Sequence, residues 1–329
     1  MPEIILHKTE IGYRLKNGNK SLLKNLNLKA CKGELIALAG VNGSGKSTLL
    51  RSLAGLGKPL SGNILIGDKS PESYGKKEFA RKVAFVSSEI SGIRYLKVKD
   101  LVALGRFPHQ NFIERNTEKD KKAVNSAMQI TGILKLKDKY TDEISDGERQ
   151  KAMTARALAQ DTDIILLDEP ASFLDTANKF ALYEILSDAC IYSGKTIIFS
   201  THDLNIALKY SDKVWLIKNG NIYEGAPEDL IYNKIFDDIF PKGKIIFRPE
   251  TGEFSVKFEK KHAVKIIDEA NDGIKLRLLE NALLRKGFYN SDEESGLIIR
   301  VYENGFSLVK GKNEYKGIAN FYELLKIIY

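Results

Sequence analysis

Residues 34–56 read ELIALAGVNGSGKSTLLRSLAGL, and the fold turns on this stretch. After Glu34, LIALAG is an apolar run of strand length, the middle is rich in glycine and hydroxyl groups, and LLRSLAGL has helical spacing. Gly40 to Ser47 match the pattern G-x-x-x-x-G-K-[ST], in the strand-to-helix setting that pattern requires. Glycines in such a loop let backbone N–H groups close around phosphate oxygens, and the helix start adds the positive end of its dipole. The residues expected at the phosphates are Gly40, Asn42, Gly43, Gly45, Lys46, Ser47 and Thr48. Lys46 would reach the β and γ phosphates, and Ser47 would ligate Mg2+.

Working outward, further apolar strands are expected in IILLD at 164–168, TIIFS at 196–200 and VWLIK at 214–218, with helical segments between them. Strands alternating with helices imply an α/β fold around a mostly parallel sheet covered on both faces. From about 96 to 160 the strand signal fades, and KDLVALGRF, EKDKKAVNSAMQITGIL and GERQKAMTARALAQ read as helices, a helical insert in the α/β core. Composition shifts near Pro241. KIIFRPETGEFSVKFE reads as a hairpin around Thr251 and Gly252, KLRLLENALLRKG as an amphipathic helix stopped by Gly287, LIIRVYENGFSLV as a hairpin on Asn304-Gly305, and IANFYELLKII as a closing helix. The expected division is a large domain over 1–240 and a small α+β domain over 243–329.

The chain has 329 residues, 43% of them apolar and 29% charged, as in a soluble globular protein with ample core. No run approaches the length of a membrane span, and MPEIILHKTE lacks the basic head and apolar stretch of a signal peptide, so a cytoplasmic location is expected. Cys31 and Cys190 are too few for a disulfide framework or a metal site and are expected to be buried small apolar residues. A net charge of +8 is spread thinly, with no basic block, which fits a solvated surface better than a nucleic-acid footprint.

Asp168 and Glu169 stand where the apolar strand IILLD ends, at the sheet edge above which ligands bind in such folds. Asp168 can hold Mg2+, and Glu169 can polarise a water in line with the γ-phosphate. Without the phosphate loop, an Asp-Glu pair in this setting would read better as a helix cap; beside that loop the preference reverses. His202 in FSTHDL also follows a strand; a neutral imidazole there can hydrogen-bond the γ-phosphate or the attacking water, or serve packing alone.

With ISDGERQ at 144–150 between them, these motifs in this order resemble the ATP-binding cassette (ABC) ATPase family over about residues 1–240. The resemblance implies a P-loop nucleotide-binding domain with a helical subdomain at about 96–160, ATP and Mg2+ as ligands, and Glu169 and His202 as catalytic residues. ISDGE stands where the family has its L-S-G-G-Q signature, so Ser145, Gly147 and Glu148 would contact ATP held by a second copy of the chain. Asp146 and Glu148 depart from the commonest form, and Ser-x-x-Glu is also a plain capping box. SFLD at 172–175 is similar to the family's D-loop, which makes Asp175 a candidate contact across the dimer, an isolated surface Asp being the alternative. Tyr13 sits where the family stacks an aromatic on adenine, or is an ordinary strand aromatic.

After KVAFV at 82–86 the family usually has a glutamine that senses Mg2+ and the water; here stand Ser87, Ser88 and Glu89. Ser88 or Glu89 can take over metal contact, or the loop is simply solvated. DLVALGRFPH at 100–109 is similar to ATPases of importers for iron-siderophore, haem and cobalamin complexes, in which it would shape the surface that grips a permease. The resemblance thus implies an ATP-driven homodimer on the cytoplasmic face of a membrane, separate permease subunits, a substrate-binding protein, and no nucleic acid. The alternative is a soluble ABC ATPase acting on nucleic acid or ribosomes, although such proteins usually carry two cassettes or a long coiled coil.

Overall fold

The computed structural model describes residues 2–16, 18–88, 95–110, 117–237, 239, 245–249, 252–291 and 295–328. Two compact units emerge, one comprising 1–239 with 247–254 and the other 240–246 with 255–329.

In the first unit, strands β1 (Pro2–Leu15) and β2 (Gly18–Cys31) pair antiparallel. There follow β3 (Leu35–Gly40), α1 (Lys46–Leu53), β4 (Ser61–Ile66), α2 (Lys76–Lys82) and β5 (Val83–Val86). β4 returns to β1 and completes an antiparallel sheet of order β2-β1-β4. A helical stretch comes next, with α3 (Val98–Ala103) running into a 3-10 turn over Leu104–His109, then α4 (Glu118–Ile130) and α5 (Asp146–Ala159). The chain then alternates through β6 (Ile164–Leu167), α6 (Thr176–Ser193), β7 (Thr196–Thr201), α7 (Leu204–Tyr210) and β8 (Lys213–Lys218), and ends in β9 (Asn221–Gly225) and α8 (Pro227–Tyr232).

The main sheet has the order β5-β6-β7-β3-β8-β9 and is parallel except for β9, which pairs antiparallel with β8. β3 lies between β7 and β8 and all six of its residues are buried, which is why it reads as a continuous apolar run and not as an alternating one. One core joins Ile36, Leu38 and Trp215 of this sheet and Leu49, Leu50 and Leu53 of α1 to Ile4, Leu6 and Leu28 of the antiparallel sheet. An antiparallel sheet therefore shares the core with α1, a layer the strand-and-helix reading of the sequence did not contain. Its first two strands carry many exposed polar positions, so their apolar residues do not stand out as a run.

The helical stretch is fixed by local chemistry at its ends. α4 starts at a capping box in which the Thr117 and Asp120 side chains satisfy each other's backbone N–H groups. Asp120 also accepts from Arg106 Nε at 2.8 Å, and Arg106 Nη1 donates to Ala159 O at 2.8 Å, so a buried guanidinium ties the turn after α3 to α4 and to the end of α5. Burial pushes the Asp120 carboxyl up, but the bonds from Arg106 and Thr117 outweigh it and hold it below the ordinary value. Next to Arg106, Gly105 lies so close to α5 that a Cβ would sit 2.2 Å from Arg156 O.

In the second unit, β12 (His262–Asp268), α9 (Gly273–Leu284), β13 (Phe288–Asn290), β14 (Leu297–Tyr302), β15 (Gly305–Lys310), β16 (Asn313–Ile318) and α10 (Phe321–Ile328) follow the short pair β10 (Ile245–Arg248) and β11 (Glu253–Val256). Five strands in the order β13-β12-β14-β15-β16 carry the two helices, around Val264, Leu279, Leu283, Ile299, Phe306 and Leu324. The β10–β11 pair is the hairpin expected around Thr251 and Gly252, but residues 247–254 group with the first unit: the rings of Phe247 and Phe254 lie 5.2 and 6.0 Å from that of Phe236. Cys190 is buried, whereas Cys31, expected to be buried too, is only half-buried because it ends β2 where the chain turns into β3.

Gly105→Ala should lower stability by about 1–3 kcal/mol, the usual cost of overpacking, because the added methyl meets backbone and not a side chain that could swing aside. Chemical denaturation checks this; an unchanged midpoint would mean that the 3-10 turn and α5 separate easily.

Candidate functional site

The strand order brings the C-terminal ends of β6, β7 and β3 side by side, and the expected catalytic and phosphate-binding residues follow directly from those ends. Gly45 starts α1 with φ of 106°, a left-handed conformation that a side chain would strain, and it lets the loop over 41–45 turn sharply into the helix. α1 then presents Lys46, Ser47 and Thr48 in its first turn. Lys46 is 5% exposed and its ammonium donates to Gly40 O at 2.9 Å and Val41 O at 3.2 Å. Burial holds its pKa below the ordinary lysine value, partly offset by the carboxylates of Glu169 and Asp168.

Asp168, 3% exposed, is the hub. Its Oδ1 accepts from Ser47 Oγ at 3.0 Å and Ser200 Oγ at 2.6 Å, its Oδ2 from Ser88 Oγ at 3.1 Å, and its backbone N–H reaches Val86 O at 2.9 Å. Three other chain segments thus converge on one carboxyl group. Glu169 follows with φ of 48°, left-handed and strained for a residue with a side chain. Its N–H donates to Ser200 Oγ at 2.8 Å, and its carboxylate lies 3.9 Å from Lys46 Nζ and 3.4 Å from His202 Nδ1. A small cavity beside it is lined by Glu169, Ser172, Lys179, Tyr183, Ser200 and His202. Tyr13, half-exposed on β1, shares a hydrogen bond of 2.9 Å with Thr48 Oγ1, which sets its ring at the edge of the same loop.

A second group forms around the start of α5. Ser145 is the N-cap, its Oγ accepting from Glu148 N at 3.2 Å while Glu148 Oε2 accepts from Ser145 N at 2.9 Å. The capping-box reading of ISDGE is therefore realised, and it turns the Glu148 carboxylate onto Ser145. Gly147 packs against the loop before α6, where a Cβ would sit 3.2 Å from Phe173 O. That loop ends at Asp175, the N-cap of α6, which accepts from both the backbone N–H and the side-chain amide of Asn178 at 2.8 Å. These bonds hold its carboxyl below the ordinary value. Asn178 Oδ1 in turn accepts a hydrogen bond from Lys151 Nζ on α5, at 2.5 Å. The hydrogen bonds and close approaches of Ser145, Gly147, Glu148 and Asp175 are thus with one another's segments, whereas Lys46, Ser47, Ser88, Asp168, Glu169 and His202 form the other group. Asn42 and Gly43 lie exposed on the loop between β3 and α1. Glu89 lies outside the described residues.

The donor set suits a small hard cation: Ser47 offers a hydroxyl oxygen and Asp168 a carboxylate, and oxygen ligands in small number with phosphate oxygens completing the shell are how proteins hold Mg2+. Among the described residues no cluster of three or more His, Cys, Asp and Glu is gathered for a metal. Ser200, Lys151 and Asn178 are contributions that sequence reading missed. The signal for Ser200 was present in FSTHD, a hydroxyl two positions before His202 at the end of an apolar strand.

A family model described as ABC transporter matches residues 23–172. The petrobactin import ATP-binding protein FpuD of Bacillus anthracis is 38% identical over 227 residues, 69% of this chain and 83% of that protein. The ferric enterobactin transport ATP-binding protein FepC of Escherichia coli is 37% identical over 231 residues, 70% of this chain and 84% of that protein. Among solved structures, the dimeric structure of a bacterial ABC transporter cassette is similar with a TM-score of 0.62 at 26% identity, over 68% of this chain and 98% of that one.

The lowered pKa of Lys46 gives a pH test. Phosphate oxygens favour the charged ammonium, so nucleotide affinity should be full at neutral pH and weaken as pH rises toward the ordinary lysine value of about 10.4. Titration with a fluorescent ATP analogue across that range checks this, and a flat profile would show that Lys46 keeps its proton without help from a ligand.

Proposed function

Because the chain belongs to the ABC transporter family and is an ATPase of that family, we propose that it is the ATP-hydrolysing subunit of an importer that powers uptake of a metal chelate, of the iron-siderophore, haem or cobalamin kind, through a separate membrane permease. The names of the relatives, which speak of petrobactin import and ferric enterobactin transport, support this substrate class. So does DLVALGRFPH, whose Leu104 and Phe107 stand exposed beside the buried Arg106 and are suited to grip a permease segment.

The observation that carries the reading is the convergence of Lys46, Ser47, Asp168, Glu169 and His202 at adjacent strand ends. In the mechanism, backbone N–H groups of residues 41–46 and the dipole of α1 bind the phosphates, and Lys46 neutralises the β and γ oxygens. Asn42 and Thr48 contribute to the same cradle, and Tyr13 flanks the adenine. Ser47 and Asp168 would hold Mg2+, which when bound screens phosphate charge during transfer. Glu169 polarises the attacking water, and His202, 3.4 Å from its carboxylate, hydrogen-bonds the γ-phosphate or that water. Ser88, bonded to Asp168, stands where the family's glutamine reports on the metal, and couples nucleotide state to the permease.

The second group completes the site from another copy. Ser145, Gly147 and Glu148 at the start of α5 and Asp175 at the start of α6 face ATP held by the partner, so two chains close on two ATP molecules. Closure pulls on the permease because ATP binds the closed pair better than the open one, and hydrolysis adds charge repulsion that reopens it. The dimeric form of a similar cassette supports this arrangement. The ATPase domain comprises 1–239 with 247–254, and an accessory domain 240–246 with 255–329. The subunit sits on the cytoplasmic face of the membrane with a substrate-binding protein on the other side; among the described residues no helix is long and apolar enough to cross the bilayer.

Glu169→Gln should bind ATP normally, lose at least about 100-fold in turnover, and elute as a dimer in ATP and Mg2+. Turnover equal to wild type would remove Glu169 from the mechanism, and a monomer under saturating ATP would remove the shared site. Co-purification of the full chain with a multi-span membrane protein tests the transport role.

A further inference from the structure

We propose that Ser200 is a positioning residue for hydrolysis, one whose single hydroxyl sets the direction of Glu169 relative to Asp168. The inference rests on the reading of Asp168 as the metal carboxylate and Glu169 as the group that polarises water.

Ser200 is fully buried near the end of β7. Its Oγ lies 2.6 Å from Asp168 Oδ1 and 2.8 Å from the backbone nitrogen of Glu169. Chemistry fixes the proton. The N–H of Glu169 can only donate, so Ser200 accepts there; the ionised carboxylate can only accept, so Ser200 donates to it. Both capacities of the hydroxyl are thus engaged on two consecutive residues with different tasks.

Glu169 needs such a hold. At φ of 48° it sits in a left-handed conformation that is strained for a residue with a side chain and persists only where its surroundings enforce it. The N–H bond to Ser200 is made by the strained residue itself, and it ties that residue to β7, the strand that also leads to His202. The carboxylate of Glu169 is thereby aimed between Lys46 and His202, into the cavity that Ser200 also lines. Asp168 Oδ1 also has a second hydroxyl partner in Ser47. A cation held by Ser47 and Asp168 would occupy lone pairs of both, whereas Ser200 reaches Oδ1 from the β7 side and keeps Asp168 oriented independently of it.

Three variants separate this from a packing role. Ser200→Ala removes the hydroxyl, Ser200→Thr keeps it, and Ser200→Val has the shape of threonine without it. Steady-state ATP hydrolysis, Mg2+ titration of fluorescent-ATP binding and thermal melting would be measured on the full chain beside wild type and Glu169→Gln. Ala and Val should lower kcat by about 10- to 100-fold, the scale of a small misplacement of a reacting group, with KM for ATP within about threefold of wild type. They should also need more Mg2+ for half-maximal binding, and Thr should recover most of both losses. Wild-type kcat and Mg2+ dependence in Ala and Val would overturn the proposal. So would equal impairment of Thr and Val, with matching losses in melting temperature, which would reduce Ser200 to packing. If Glu169→Gln hydrolyses ATP as well as wild type, the reading beneath the proposal fails instead.

Discussion

The carboxyl group of Asp168 is the point on which the architecture converges. It is buried, it stands where β6 ends, and hydroxyls from three other segments reach it: Ser47 of α1, Ser88 after β5 and Ser200 of β7. A buried carboxylate is expensive unless hydrogen-bonded, and these donors meet that demand. They can do so only because the sheet runs β5-β6-β7-β3, which sets Asp168 between its neighbours β5 and β7 and one strand removed from the phosphate loop. Electrostatic need and strand order therefore specify the same geometry, and the proposed chemistry is built on it.

The parts of this that depend on neighbours in sequence were legible before any coordinates. Gly40 to Ser47 announce a phosphate loop because the turn, the helix start and the lysine are all local, and the strand-end position of Asp168, Glu169 and His202 followed from apolar runs. What depends on neighbours in space was not legible. The hydroxyl before His202 in FSTHD does not by itself point to Asp168; Ser200 matters because β6 and β7 are adjacent and in register, which brings it beside Asp168 and Glu169. The antiparallel sheet β2-β1-β4 was hidden for a related reason. Its strands are half-exposed and its third member lies beyond β3 and α1 in the chain, so no periodic signal joins them. At Ser145 the sequence supported a capping box and a ligand contact alike. The structure contains the capping box, which engages the Ser145 hydroxyl at the exposed start of α5.

The second group of residues is linked internally. Gly147 against Phe173, and Lys151 through Asn178 to Asp175, join the start of α5 to the loop before α6 within a single chain. Under the proposed mechanism both elements act on the ATP of the other copy, so their internal link makes them arrive together. The helical stretch that carries α5 is itself fastened by the buried Arg106 between Asp120 and Ala159, next to the exposed Leu104 and Phe107. The start of α5 and the proposed permease-facing surface thus belong to the same packed segment.

The claim that each ATP site is built from two chains is tested most directly by mixing two disabled variants, Lys46→Ala, which lacks the phosphate lysine, and Ser145→Arg, which blocks the signature. In a mixed dimer one site would carry both defects, while the other would combine an intact phosphate loop with an intact signature. The account predicts that ATP hydrolysis by the mixture exceeds the sum of the two variants measured alone. Activity equal to that sum, with mixed dimers demonstrably formed, would contradict it and return the whole site to a single chain.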